Sequence, residues 1–159
     1  MKLVLGMVFI LYTKLSVADP FVVVGQGAID GDGWSGSMTE LGIGYAFSKQ
    51  WNIESSWLDL GERDEWRDDK IRGLSIEGKY YQNFGDLKLS YGIGPYIYSS
   101  DYSTGDAGYK DYSIGNSASM AAGYSISDSV LMRLKASKIF LDNASGDPNY
   151  LTLGVVYSF

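Results

Sequence analysis

The amino-acid sequence predicts an all-β fold, an eight-stranded antiparallel up-and-down transmembrane β-barrel. After residue 18, alternation of apolar and polar residues with period two recurs in eight segments of about ten residues, the length a tilted strand needs to cross a bilayer. The connections between these segments are alternately short and long, as in barrels that cross outer membranes. Glycine accounts for 20 of the 159 residues, and aromatic residues make up 14%. Glycine suits a narrow lumen, and aromatic residues suit lipid and its interfaces.

The first 18 residues are predicted to be a secretory signal peptide, and residues 19–159 the outer-membrane β-barrel domain. Lys2 provides a positive start, residues 3–11 are apolar, and residues 16–18 end in the small side chains that a signal peptidase reads. The apolar run is too short for a membrane-spanning helix, which needs about 20 residues. We therefore expect cleavage after Ala18.

Composition and charge exclude several classes of function. The chain has no cysteine and no histidine, which removes disulfides, thiolate sites, the usual general base and the commonest metal ligand. Neither a metal nor a cofactor is predicted. Without Lys2 and Lys14, 11 basic residues face 19 acidic ones, a net charge of −8. Nucleic acid is not expected as a partner, because its phosphates require a basic surface.

The elements follow from the alternation and from turn residues. The strands are predicted, in chain order, at 20–29, 37–47, 51–60, 72–82, 87–98, 112–125, 130–140 and 149–159. The tight turns, rich in Asn, Gly, Asp and Ser, are predicted at 48–50, 83–86 and 127–129. The longer polar connections, predicted as loops, are 30–36, 61–71, 99–111 and 141–148.

Each strand has one bulky apolar face and one face of small or charged residues. In the last strand, Leu151, Leu153 and Val155 oppose Thr152 and Gly154. The second, fourth, fifth and seventh strands repeat this division. Bulky side chains suit lipid, and small ones suit the lumen of an eight-stranded barrel, which is just wide enough for side chains to fill it.

Aromatic residues predict where the barrel meets a membrane interface. An aromatic girdle is expected at the short-turn end, formed by Phe21, Phe47, Trp51, Phe84 and Phe159. The tyrosines are likewise expected to face lipid or its interfaces. This favours a membrane barrel over the alternative, a soluble lipocalin-like barrel with its apolar faces inward.

Seven charged residues are predicted to point into the lumen. They are Glu40, Glu54, Glu77, Lys79, Lys88, Arg133 and Lys135. Three acids and four bases in a narrow, poorly hydrated space must pair, because an unpaired charge is costly there. A structural plug is the favoured interpretation of this set, and a gated small pore is the alternative.

Two segments resemble known outer-membrane proteins. The closing segment, residues 150–159, reads YLTLGVVYSF and resembles the terminal strand of bacterial outer-membrane barrels, with its C-terminal aromatic residue. Residues 41–47 and 51–61, LGIGYAF and WNIESSWLDLG, resemble the second hairpin of OmpA-type and opacity-type eight-stranded barrels. Together with the strand spacing, the resemblance covers essentially all of residues 19–159.

The resemblance implies a location, partners and one residue role. It implies the bacterial outer membrane, contact with its lipid and lipopolysaccharide, and recognition of the strand ending in Phe159 by the outer-membrane assembly machinery. Host or surface proteins are a further class of partner. Glu54 would belong to a salt-bridge network that plugs the lumen. The sequence departs from the family pattern at Lys135, where a glutamate is usual. A closed barrel has no edges, so a monomer is expected.

No catalytic residue is predicted, and the protein is not expected to be an enzyme. Residues 140–145 faintly resemble the His-x-Ser-Asn-Ala segment of eight-stranded lipid A deacylases, but Phe140 stands at the histidine and Asp142 at the serine. A serine–lysine pair, Ser137 with Lys135, is the remaining candidate. Filling of the lumen is the favoured role for both side chains.

One predicted loop concentrates charge around a tryptophan. Its candidate interaction residues are Arg63, Trp66, Arg67, Lys70 and Arg72. The basic side chains could contact lipopolysaccharide phosphates, and Trp66 could contact a protein. A solvated loop with internal ion pairs is the alternative. Residues 30–33 loosely resemble a calcium loop, but the later ligands are missing, and no metal site is predicted.

These observations predict an outer-membrane β-barrel with a structural or surface-interaction role, such as adhesion or host contact, through four extracellular loops. A small passive porin-like channel is the second hypothesis. A catalytically degenerate relative of the lipid A deacylase barrels is the third.

Overall fold

Eight strands form the whole of the regular structure in the described part of the chain. The computed structural model describes residues 19–31, 34–63, 69–104, 107–141 and 147–159, and the predicted signal peptide lies outside these ranges. The strands are β1 (Asp19–Gly31), β2 (Trp34–Ala46), β3 (Trp51–Arg63), β4 (Asp69–Phe84), β5 (Leu87–Thr104), β6 (Ala107–Ser125), β7 (Val130–Phe140) and β8 (Asn149–Ser158). Within those ranges, no helix is long and apolar enough to cross a bilayer.

The sheet closes on itself. Each strand pairs antiparallel with its neighbours in the chain, and β8 pairs with β1, so that the order β1 to β8 forms a closed barrel. Near this closure, the Phe159 amide donates to the Pro20 carbonyl at 3.1 Å. The predicted eight-stranded antiparallel up-and-down barrel is confirmed.

The start of β1 at Asp19, the C-terminal Phe159 and the three tight turns lie at one end of the barrel, called here the short-turn end. In the β2–β3 turn, Ser48 Oγ accepts hydrogen bonds from the amides of Gln50 and Trp51 at 3.2 and 3.0 Å. The β4–β5 turn has two residues, and Gly85 adopts a φ of 65°, a conformation that favours glycine. The opposite end is called the loop end.

At the loop end the strands run farther than predicted. β5 continues to Thr104 and β6 begins at Ala107, so most of the predicted loop 99–111 is a paired hairpin. The predicted loops 30–36 and 61–71 are also largely strand. Alternation of apolar and polar residues reports two different surroundings on the two faces of a strand. The alternation ends where the strand extends beyond the lipid on one side and the lumen on the other. Backbone pairing between the strands continues past that point.

The outer wall is apolar, as predicted. Ile43, Trp57, Ile93 and Leu153 are all exposed on the outward faces. The described charged residues in the middle of β2, β3, β4 and β7 point the other way and are buried. An apolar exterior around a charged interior is the arrangement of a barrel wall that faces lipid.

The predicted aromatic girdle is wrong for one member. Phe47, Trp51, Phe84 and Phe159 are exposed, but Phe21 is 5% exposed and packs in the lumen. Its ring lies over Gly44, the residue opposite it on β2, where no side chain would fit. A glycine opposite it therefore lets a bulky ring enter a narrow lumen.

The loop-end half of the lumen is apolar, against the expectation of small and charged side chains. The buried cluster there consists of Ile29, Met38, Leu58, Leu60, Ile71, Tyr96, Tyr98, Ile139, Leu141 and Tyr150. Its three tyrosines were expected to face lipid, and that prediction is wrong for them. The Tyr96 ring covers Gly73, which leaves it room inside the barrel, and it stacks on Tyr98 with ring centroids 5.7 Å apart.

Candidate functional site

Six charged side chains meet in the middle of the lumen. They are contributed by four strands: Glu40 by β2, Glu54 by β3, Glu77 and Lys79 by β4, and Arg133 and Lys135 by β7. All six are at most 3% exposed. With three acids and three bases, this set, called here the ion cluster, has no formal net charge.

Glu54 lies at the centre of the ion cluster. Its Oε1 accepts from Lys79 Nζ at 2.6 Å, and its Oε2 accepts from Arg133 Nη1 at 2.8 Å. Ser56 Oγ adds a hydrogen bond to Oε1 at 3.2 Å. Charge-assisted bonds of this length are among the stronger polar contacts in proteins. Because Arg133 comes from β7, its bond to Glu54 joins opposite walls of the barrel.

Arg133 also bridges Glu54 to Glu40. Its Nη2 donates to Glu40 Oε2 at 3.1 Å, and Lys135 Nζ donates to Glu40 Oε1 at 2.9 Å. Thr152 Oγ1 of β8 approaches Glu40 Oε2 at 3.3 Å. Both carboxylate oxygens of Glu40 are therefore paired within the lumen.

Glu77 is the third acid of the ion cluster, and it lies near both lysines. Its Oε2 accepts from Ser119 Oγ at 2.8 Å and lies 3.4 Å from Lys79 Nζ and 3.6 Å from Lys135 Nζ. Lys135, the departure from the family pattern, is thus surrounded by carboxylates. A glutamate at that position would leave four acids against two bases.

The structure does not bring the seventh predicted residue into the ion cluster. Lys88 is the second residue of β5, beside the short-turn mouth, where it is partly exposed. No ion pair of Lys88 occurs among the described residues. Lys88 lies on the inward face of β5, as predicted. It is too close to the short-turn mouth to reach the glutamates of the ion cluster.

The ion cluster meets an apolar cluster toward the loop end, and toward the short-turn end it meets a smaller apolar cluster together with the buried polar side chains of Asn52 and Ser90. On β1, Gly25 pairs with Glu40 and marks the height of the charges. Phe21 and Val23 precede it and pack with Val156 toward the short-turn end. The loop-end cluster lies on the other side. The hydrogen bonds of the charged layer join opposite walls of the barrel, and the loop-end cluster covers that layer with apolar side chains.

Some buried hydroxyl groups lack partners among the described residues. The side-chain oxygens of Tyr96, Tyr98, Tyr150 and Ser137 are buried and accept or donate no hydrogen bond there. The serine–lysine pair considered from sequence is not formed, because Ser137 Oγ has no hydrogen-bond partner among the described residues and Lys135 Nζ donates to Glu40. Ser137 therefore fills space in the closed lumen.

The described part of the segment that resembles a deacylase lies on the outer wall, away from the lumen. Phe140 ends β7 on the outer wall, with its ring centroid 5.4 Å from Lys138 Nζ. Asp142 lies outside the described residues. Among the described residues, no group of His, Cys, Asp or Glu side chains could hold a metal ion.

The predicted loop site is only partly described. Arg72 lies on β4 with its Nε 3.1 Å from Asp59 Oδ2, and both side chains are well exposed. The backbones of Arg63 and Lys70 belong to the paired ends of β3 and β4, not to a loop. Trp66 and Arg67 lie outside the described residues.

Part of the loop-end apolar cluster could have been found by counting every second residue along the strands. Leu58 and Leu60 continue the inward face set by Glu54 and Ser56, and Tyr96 and Tyr98 continue that of Gly94. Period two therefore carried the signal. The inward position of these side chains is not expected from sequence, because bulky apolar side chains are predicted to face lipid.

Comparison with known proteins finds similarity of structure. No family model matches the sequence, and no curated protein matches it. Neisserial surface protein A is 12% identical with a TM-score of 0.74, over 89% of this chain and 97% of that one. Ail, the attachment invasion locus protein of Yersinia pestis, is 14% identical with a TM-score of 0.62, over 89% and 97%. The outer membrane enzyme PagL is 16% identical with a TM-score of 0.58, over 86% and 98%.

At these identities the fold is what is shared. A surface protein, an attachment protein and an enzyme share it, so the fold alone selects no activity. Together with the apolar outer wall, it supports a location in the bacterial outer membrane. The chain therefore has the fold of the eight-stranded bacterial outer-membrane β-barrels, the class that its terminal strand and its Glu54-containing hairpin resemble in sequence.

Proposed function

We propose that this protein is a closed outer-membrane barrel whose role is structural or surface interaction, performed by its loop end and not by its lumen. The observation that carries the proposal is the neutral ion cluster, which is buried in the lumen and covered toward the loop end by ten apolar and aromatic side chains. A lumen filled in this way holds the barrel together. Function then falls to the segments that extend beyond the wall.

The closed lumen argues against the second hypothesis, a small passive channel. An ion crossing the barrel would have to pass Leu58, Leu60 and Ile139, none of which has measurable exposed surface. It would also have to separate charges that are already paired. Both steps are costly in a medium of low polarity.

The longest strands support contact with other surfaces. β5 has 18 residues and β6 has 19, whereas β8 has 10. At about 3.3 Å per residue, β6 is about 60 Å long, well beyond what a membrane crossing requires. This hairpin projects at the loop end, where partners outside the cell would meet it.

The proposed partners follow from this arrangement. Outer-membrane lipid and lipopolysaccharide would surround the wall, and the assembly machinery would read the strand ending in Phe159. A host or surface protein would meet the loop end. We propose a monomer without a catalytic step. The faint resemblance of residues 140–145 to a deacylase segment, together with structural similarity to an outer membrane enzyme, keeps a degenerate deacylase relative as the third hypothesis. Hydrolysis of lipid A by the refolded barrel would overturn our proposal.

Attachment of cells tests the surface role. Bacteria displaying the wild-type barrel are compared, on cultured epithelial cells, with bacteria whose residues 101–110 are replaced by an Asn-Gly turn, which joins the opposite residues Ser100 and Asp111. We expect attachment to fall several-fold in the shortened variant and to be unchanged in the Leu58→Ala control, which alters only the lumen. Trp66→Ala with Arg67→Ala tests the β3–β4 connection in the same assay. Attachment equal to wild type in both the shortened variant and the Trp66→Ala, Arg67→Ala variant would contradict the surface role.

A further inference from the structure

The outer wall of the barrel has a depression that crosses β6, β7 and β8 and reaches β1. Its volume is about 580 Å³, and Ala28, Ala118 and Ala136 line it. Met120 and Leu151, which are exposed on the outer wall, line it as well. Ala136 pairs with both of them and Ala28 pairs with Leu151, so these side chains share the outward face. The wall here is therefore concave and apolar, and it opens toward lipid.

Three polar side chains cross the wall at the loop-end side of this depression. Asp30 of β1 pairs with Asn149 of β8, which in turn pairs with Lys138 of β7. All three residues line the depression, and each lies two positions beyond the paired row of Ala28, Leu151 and Ala136. These three residues, called here the polar row, therefore set an acid and a base on either side of an amide, on the outward face.

The polar row lies where the apolar band of the wall ends. β8 has 10 residues between Asn149 and the short-turn end, and its exposed apolar side chains in between are Leu151, Leu153, Val155 and Tyr157. A strand of this length tilted by about 40° rises about 25 Å, the height of the apolar band of an outer-membrane barrel. The polar row is thus level with lipid head groups, and the depression is level with the acyl chains next to them.

The charges around the polar row complement a head group that carries both signs. The Lys138 side chain is 45% exposed, and its Nζ lies 3.9 Å from Asp147 Oδ2, a distance longer than a hydrogen bond. Asp30 is exposed two strands away, at a backbone separation of about 10 Å. One ammonium and two carboxylates suit a phosphate joined to an ammonium group, whereas a purely anionic head group would meet two acids and one base.

We propose that this depression binds one molecule of a zwitterionic phospholipid, with an acyl chain against the alanines, the phosphate at Lys138 and the ammonium group at Asp30. Within a bilayer, apolar surfaces gain no hydrophobic energy by meeting each other, so close packing and polar contacts select one lipid from the many that touch the wall. The inference goes beyond the proposed function, because it assigns a ligand to the wall and not to the loop end.

Native mass spectrometry of the refolded barrel in detergent measures the binding of single lipid molecules. The probe is phosphatidylethanolamine, and phosphatidylglycerol with the same acyl chains is the anionic comparison. We expect phosphatidylethanolamine to bind about fivefold more tightly, which corresponds to one exposed ion pair. Asp30→Asn should remove this preference by weakening phosphatidylethanolamine alone, whereas Lys138→Gln should weaken both lipids. Glycerophosphoethanolamine, the same head group without acyl chains, should not bind.

Filling the depression tests its apolar part. Ala118→Leu with Ala136→Leu adds bulk on lipid-facing positions and should lower the affinity for phosphatidylethanolamine about fivefold, because the acyl chain loses its close packing. Ser55→Leu is the matched control. Ser55 lies on β3 opposite the exposed Ile43, away from the depression, and this variant should stay within about twofold of wild type.

Several results would overturn the inference. They are equal affinity of the wild-type barrel for the two phospholipids, tighter binding of lipid A than of phosphatidylethanolamine, binding of the head group without chains, or equal losses in the filled variant and in Ser55→Leu. Cell attachment is measured separately, so each of these results would remove the lipid site and leave the proposed surface role standing.

Discussion

Two halves of one lumen are closed by opposite chemistry. In the middle, six charged side chains form an ion cluster whose direct hydrogen bonds are 2.6–3.1 Å long. Toward the loop end, ten apolar and aromatic side chains fill the same cylinder without charge. Both regions are buried, but their tolerance of change should differ, because charges need specific partners and apolar side chains need only matching volume.

The charged half also constrains the strands more strongly. Backbone pairing links only neighbouring strands, whereas Arg133 on β7 bonds to Glu54 on β3 across the barrel. A slip of one residue in either strand would turn its charge toward lipid. The ion cluster therefore helps to specify the register, and the apolar half mainly excludes water.

The largest effect is expected from removing one partner of the ion cluster. Glu54→Gln leaves three bases against two acids in a buried space, and we expect a loss of about 3–5 kcal/mol in the free energy of unfolding. Urea unfolding in lipid vesicles, followed by tryptophan fluorescence, measures it. Adding Lys79→Met restores the charge balance and should recover part of the loss. A loss below about 1 kcal/mol for Glu54→Gln alone would mean that the cluster contributes little.

A smaller loss is expected from the apolar half. Leu58→Ala leaves a void among buried neighbours, which should cost about 3 kcal/mol in the same unfolding assay. Leu41→Ala, on the outer wall, is the matched control and should cost about 2 kcal/mol, because it loses the transfer of the removed carbons from water to lipid but leaves no cavity. Equal losses at the two positions would contradict the assignment of inward and outward faces.

A change of opposite sign is expected at a hydroxyl in the apolar half. Tyr96 OH is buried and has no partner among the described residues. Tyr96→Phe removes that polar group and keeps the ring over Gly73, so stability should be unchanged or rise by about 1 kcal/mol. A clear loss of stability would show that the hydroxyl is hydrogen-bonded in the membrane.

The smallest effect is expected where an ion pair lies outside the lumen. Arg72 and Asp59 are 46% and 40% exposed, so water screens their attraction. Arg72→Ala should change the free energy of unfolding by no more than about 0.5 kcal/mol. A loss as large as that of Glu54→Gln would remove the distinction between buried and exposed pairs.

The fold and the facing of most strands could be predicted from sequence, because period two records a difference between lipid and lumen. The fate of Phe21 and Tyr96 could not, since each depends on a glycine of a neighbouring strand, Gly44 and Gly73, whose position requires the register. The loop-end strand boundaries failed for a related reason. Backbone pairing there continues past the residues whose apolar–polar alternation distinguishes the two faces.

The candidate site could be predicted as a set of residues but not as a set of bonds. Parity along the strands identified Glu40, Glu54, Glu77, Lys79, Arg133 and Lys135 as inward. It also selected Lys88, because parity does not report height along the barrel. The partner of each charge depends on distances across the lumen, which no local pattern contains.

Single-channel recording in planar bilayers tests the closed lumen most directly. The wild-type barrel should show no discrete conductance, and neither should Glu54→Gln or Leu58→Ala alone, because each leaves the other half of the lumen closed. Discrete, reproducible openings of the wild-type barrel would contradict the account and would favour a passive channel.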